Sequence, residues 1–196
     1  MGASESKSYN TNVTNVCGYT SISYRALGER HPQIVRLRVD NDTQTPATVT
    51  LKTPGGAFLI ASQIVGAEEL EDIDALKATY DLVLVLGDRT ETIQNLHLTA
   101  DTTATLSSIL SGDLAGLPRD ESARAVTQST RVDEYFTGDV LATVVEAAQV
   151  QPGDRLGEAL DRYTAHVRAQ AALQLEKGQQ EQQQGQEQAN AAEVAV

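Results

Sequence analysis

Three histidines, His31, His97 and His166, and one cysteine, Cys17, are the side chains here best suited to bind a metal or to act as base and nucleophile. Two metal donors on one helical face need a spacing such as H-x-x-x-H, and covalent catalysis needs a base beside an activated thiol or hydroxyl. The histidines fall in what read as a loop, a strand and a helix, with no spacing that joins two of them. Each is expected to be a surface or partly buried structural residue. Cys17 stands beside Gly18 in a polar stretch with no local cue for a lowered thiol pKa. The serines show no G-x-S-x-G elbow, and the glycines show neither G-x-x-x-x-G-K-S/T nor G-x-G-x-x-G spacing. The reading therefore names no catalytic residue, no metal ligand and no cofactor.

Two short stretches carry resemblances. Residues 36–44, RLRVDNDTQ, resemble the haloacid-dehalogenase phosphatase signature, in which two aspartates one residue apart follow a buried strand. Here Thr43 directly follows Asp42 where that signature has an intervening residue, and an acidic turn accounts for the same letters. Leu86-Gly87-Asp88 after an apolar run, with His97 later, resembles one piece of a binuclear metallophosphoesterase. Such a site draws several His, Asp and Asn ligands from separate loops, a set this chain does not offer.

The first residues, MGASESK, fit the pattern for N-myristoylation, with Gly2 as the candidate acceptor and Ser6 and Lys7 where the pattern prefers them. A single acyl chain attaches only marginally, and no polybasic patch or neighbouring cysteine adds a second anchor. The alternative is a plain flexible N-terminus. Membrane contact is expected only if Gly2 is acylated.

The 196 residues carry 27 acidic and 15 basic side chains, a formal net charge of −12. Nucleic-acid binding rests on Lys and Arg, so no nucleic-acid partner is expected. A lone cysteine forms no internal disulfide, and no apolar run approaches the roughly 20 residues of a membrane span or the core of a signal peptide. Cytoplasmic synthesis follows as the expectation, which makes the sequons at Asn12 and Asn41 chance matches.

The elements that would position any site are mostly strands. Residues 1–18 read as a polar arm. From Thr20, Ile22, Tyr24 and Ala26 alternate with polar residues; Val35, Leu37 and Val39 do the same, and so do Ala47, Val49 and Leu51. With turn chemistry at residues 41–46, the spacing predicts a β-hairpin over 33–53. Residues 57–65 read as a buried strand, and 67–80 as a short amphipathic helix with Leu70, Ile73, Leu76 and Tyr80 on one face and acids in its first turn. Residues 82–86 read as a strand buried on both faces. From Ile93 to Thr99 the inward candidates are Ile93, Leu96 and Leu98, with an irregularity near Asn95. Residues 102–138 support no assignment beyond an apolar patch at Leu106, Ile109 and Leu110. Residues 139–150 read as a helix capped by Asp139 with Val140, Leu141, Val144, Val145 and Ala148 inward, or as a strand.

After a turn at 151–154, Asp154 is expected to cap a helix over 154–177. Leu156, Leu160, Tyr163 and Val167 fall on it at spacings of four, three and four, a candidate interaction face. Packing of that stripe on its own domain is an equal reading. Residues 178–196, rich in Gln, Glu and Ala, cannot bury enough apolar surface to offset their ordering entropy and should be disordered or an exposed helix.

The expected architecture is a mainly β domain, a sandwich or jelly-roll-like barrel with one or two short helices. It has an arm over 1–18, a core over 19–150, a helix over 151–177 and a low-complexity tail over 178–196. A strand, helix and parallel strand over 57–86 would make it α/β instead. The expected role is a non-enzymatic structural subunit of a repetitive assembly such as a virus or phage shell, with itself or other assembly proteins as partners and the virion as destination. The alternatives are a cytosolic adaptor that binds through its C-terminal helix and an enzyme without a recognisable motif.

Overall fold

A computed structural model describes residues 14–16, 19–21 and 31–194 of the chain, with side chains from 31 to 186. Cys17, Gly2 and the alternation over 22–26 lie outside the described residues. Among the described residues nine strands come first: β1 (Thr14–Val16), β2 (Tyr19–Ser21), β3 (Ile34–Asn41), β4 (Ala47–Lys52), β5 (Leu59–Val65), β6 (Glu69–Leu76), β7 (Ala78–Leu86), β8 (Arg89–Leu98) and β9 (Thr102–Thr105). Four helices follow: α1 (Leu106–Leu110), α2 (Val132–Tyr135), α3 (Gly138–Ala148) and α4 (Leu156–Val194). The chain is mainly β with few helices and a C-terminal helix, as expected.

Two sheets carry the fold, one of three strands in the order β6-β3-β9 and one of four in the order β5-β4-β7-β8. All their pairings are antiparallel except β3 with β9. The short ladder β1-β2 lies nearest β5. Both sheets feed one apolar cluster, with Leu37 and Val39 of β3, Ile73 of β6, Val49 and Leu51 of β4 and Leu82 and Leu84 of β7 all buried. Each such side chain contributes roughly 1.5–3 kcal/mol relative to exposure.

The hairpin expected over 33–53 is corrected by this topology. Both of its strands form, but β3 pairs with β6 and β9 while β4 pairs with β5 and β7. The turn between them carries the chain from one sheet to the other. Asn41 holds it: fully buried, its amide donates to the carbonyls of Thr45 (2.9 Å), Val65 (3.2 Å) and Gly66 (2.8 Å), and its oxygen accepts from the Thr43 hydroxyl at 2.7 Å. An asparagine so enclosed is no glycosylation acceptor.

The helix expected over 67–80 is likewise corrected, since those residues form β6 and the start of β7. Ile73 lies opposite Leu37 in the ladder, and Asp72 and Asp74 lie opposite Arg38 and Arg36. Glu68 and Glu69, the acids that resembled the first turn of a helix, accept instead from the Gln44 amide and the Gly66 N–H, and pairing with a distant strand overrides the local pattern. Residues 82–86 are not buried on both faces either: Val85 is 38% exposed, and on β5 Ile64 is 64% exposed. Ile93, Leu96 and Leu98 do point inward, and the irregularity near Asn95 is present: its φ is +58°, and the register shifts between Tyr80 and Leu82. Asp81 fills that gap by accepting from the Asn95 N–H at 3.0 Å.

A second apolar cluster joins the sheets to the helices through Ile34, Phe58, Leu76, Phe136, Val144 and Leu156. Residues 139–150 resolve as the helical alternative, α3, with Val140, Val144 and Ala148 buried. Its N-cap is Thr137 rather than Asp139, and Gln149 ends it in the left-handed conformation at φ +52°. Leu156 N–H bonds to the Thr130 carbonyl at 2.8 Å and Val132 N–H to the Asp154 carbonyl at 2.9 Å, so the starts of α2 and α4 are tied together. The cap expected of Asp154 is corrected: its carboxylate accepts from Gln151 N–H (2.9 Å) and pairs with Arg162 (2.9 Å). Gly157 permits close docking, because a Cβ there would stand 2.8 Å from the Phe58 ring.

Candidate functional site

An open groove of about 610 Å³ lies between the start of β7, the 120–130 segment and α2. Thr79 is part of its lining, Asp120, Arg124 and Thr130 line its side, and Glu134 and Tyr135 enter from α2. Tyr135 anchors this wall by donating its hydroxyl to the Thr79 carbonyl at 2.7 Å, with its ring 4.7 Å from that of Phe136. Burial pushes the Tyr135 hydroxyl well above the ordinary tyrosine range, which keeps it a neutral donor. The Ser122 hydroxyl and N–H hold the Asp120 carboxyl below its usual value, with a smaller pull from His97.

His97 lies on β8, with Nδ1 2.9 Å from the Thr79 hydroxyl. That pair is the nearest approach to a nucleophile and base, but no carboxylate hydrogen-bonds the imidazole among the described residues, so nothing orients it for proton abstraction. His31 accepts locally from Gln33 N–H at 3.2 Å, and His166 lies on α4. The three histidines are not brought together, and no group of three potential metal-ligating side chains occurs among the described residues.

The other sequence candidates have structural places. Asp42 accepts from both the N–H of Ser107 (2.9 Å) and its hydroxyl, serving as a cap for α1 supplied from a distant turn. These bonds hold the Asp42 carboxyl below its ordinary value. Gly87-Asp88 is the two-residue turn between β7 and β8, with Gly87 at φ +57°.

The stripe Leu156, Leu160, Tyr163 and Val167 faces inward. Leu156 and Leu160 belong to the second apolar cluster, Tyr163 packs against it, and Val167 is 7% exposed. Past residue 171 the same helix changes character. Every side chain from 172 to 186 is exposed, Leu173 and Leu175 included, and the helical backbone continues to Val194. No described helix is long and apolar enough to cross a membrane.

The faces that the two sheets turn away from their core differ sharply. On the three-stranded sheet Arg36 reaches Asp74 at 3.1 Å, and Arg38 reaches Asp72 at 2.9 Å. On the four-stranded sheet the register aligns Ile64, Thr48, Val85 and Thr90 in one row, and Ser62, Thr50, Val83 and Thr92 in the next. Neither row contains a charge. No signal in a one-dimensional reading would have joined these eight positions, because their adjacency is a property of strand order.

No known protein-family model matches this chain, and neither a curated protein nor a solved structure matches it.

Proposed function

We propose that this chain is a non-enzymatic structural subunit of a repetitive assembly of the virus- or phage-shell kind, in which a β domain supplies the body and the C-terminal helix reaches neighbours. The observation that carries this reading is the division of α4. Its first half is docked on the domain, and the described side chains beyond it, from 172 to 186, are exposed on every side of the helix. At about 1.5 Å per residue, 39 residues extend roughly 58 Å, well beyond what the domain can cover. A polar helix gains little from water alone, so its length is of use where a partner lies within reach.

We read the two sheets as a sandwich, the body plan that jelly-roll shells also use, with the parallel β3–β9 pair as a departure from the jelly-roll pattern. The assembly reading expects self-association. Light scattering of the full chain over a wide range of concentration and salt tests it, and a strict monomer throughout overturns it. The adaptor reading draws on the same projecting helix, and deletion of residues 178–196 separates the two: an adaptor loses its partner, whereas a subunit still associates through its β domain.

A further inference from the structure

We propose that residues 118–126 form a strap that lifts from the domain as one unit, with the Asp81 carboxylate as the catch that holds both of its ends. The strap is one wall of the open groove, so its position sets how wide the groove stands. Its motion does not depend on the subunit role proposed above.

The strap has little of its own to keep it in place. Glu121, Ser122, Arg124 and Ala125 are exposed, and Val126 is its one buried side chain. At the first end the His97 N–H donates to the Pro118 carbonyl at 2.8 Å and the Asp120 N–H to the Asn95 carbonyl at 2.9 Å. At the second end the Val126 N–H donates to the Pro54 carbonyl at 2.7 Å. A segment with so few buried contacts opens at a lower free energy than the sheets beneath it.

Asp81 stands behind both ends. It sits at the register shift of β7, where it alone opposes Gln94 and Asn95 of β8, and it is buried. Its Oδ1 accepts from the Asn95 N–H at 3.0 Å and its Oδ2 from the Gly55 N–H at 2.9 Å. The Gly55 N–H belongs to the same peptide group as the Pro54 carbonyl that takes Val126, so the carboxylate polarises that carbonyl as an acceptor. Asn95 in turn presents its own carbonyl to Asp120. Its φ of +58° is one that a residue with a Cβ keeps only where its surroundings fix it, and Asp81 supplies the fixing bond. The second end also lies flush against the held peptide, since a Cβ at Gly55 would stand 3.0 Å from the Ala125 Cβ. Two attachments far apart along the strap thus hang on the two oxygens of one side chain.

Hydrogen exchange of backbone amides, followed by NMR on the full chain and corrected for intrinsic rates, tests this in wild type, Asp81→Asn and Val126→Ala. In the wild type we expect the Asp120 and Val126 amides to exchange at a common rate, about tenfold or more faster than the amides of β3, the central strand of the other sheet. Asp81→Asn should speed both strap amides by the same factor, about tenfold or more, and the β3 amides by much less. Val126→Ala alters the second end alone, yet it should speed the Asp120 amide as much as the Val126 amide. Strap amides as slow as those of β3 in the wild type overturn the proposal. A response at one end only, in either variant, shows two independent attachments and overturns the single unit. Acceleration of the β3 amides by the same factor in Asp81→Asn shows a general loss of stability and overturns the catch. Should Asp81→Asn fail to fold, the carboxylate serves the whole domain and the catch is overturned, while Val126→Ala still decides whether the strap moves as one.

Discussion

The two sheets bury similar interiors but treat their outward faces in opposite ways. β3 and β6 cover theirs with Arg36, Arg38, Asp72 and Asp74, and the aspartate side chains are only 5% and 2% exposed beneath the arginines. β4, β5, β7 and β8 leave theirs to threonine, valine, isoleucine and serine. Matched charges lie easily against water and are costly to strip away, so the first face is built to stay wet. On the uncharged face Thr50 and Ser62 share a hydrogen bond of 3.0 Å, while the hydroxyls of Thr48, Thr90 and Thr92 have no side-chain partner among the described residues and are left to water.

The largest expected effect severs the link between these sheets. Asn41→Ala leaves the carbonyls of Val65 and Gly66 without their amide donor and should cost about 3 kcal/mol. Urea unfolding measures this, and a loss below about 1 kcal/mol would mean that the side chain does not join the two halves. Next, Asp72→Asn removes the carboxylate that serves both Arg36 and Arg38. Because Arg38 is half in water, the expected loss is only about 1 kcal/mol, and it should shrink in high salt. No comparable salt dependence is expected for substitutions on the rows of the other sheet.

A pH measurement sharpens the comparison where the two sheets meet. Asp42, held by Ser107, has a carboxyl pKa below its ordinary 3.8, so the unfolded chain takes up its proton first. Its contribution is complete above that value and is lost as the pH falls through the lower, folded one. Asp42→Asn should therefore flatten the acid limb of a stability profile below pH 3.8 and leave its slope at neutral pH unaltered. An unchanged acid limb would rule out the cap. The smallest effect belongs to the tail: removing residues 178–196 should shift stability by less than about 0.5 kcal/mol in thermal or urea unfolding, since the side chains described there are exposed. A larger loss would show that the distal helix packs on the domain.

Much of this fold was legible residue by residue. Val35, Leu37 and Val39, like Ala47, Val49 and Leu51, alternate and are buried as the alternation requires. Leu70, Ile73, Leu76 and Tyr80 misled because their spacing also fits a helix, and only the ladder to β3 decides between the two periods. The groove was hidden for another reason. Asp120, Thr130, Glu134 and Tyr135 come from a region with little periodic pattern, to which the sequence assigned no element, and Tyr135 and Phe136 anchor it to the core.

The order of residues alone determined which positions of β3 and β4 turn inward, how acidic the molecule is, and that its last residues are too polar to form a core, because side-chain period and composition are local properties. The tertiary structure alone decided which strands stand side by side, that β3 and β4 part into different sheets, and that Leu156 and Leu160 are covered within the chain's own domain. Those outcomes depend on contacts between residues far apart in the chain, and alternation records which face a residue takes without recording whose face it meets.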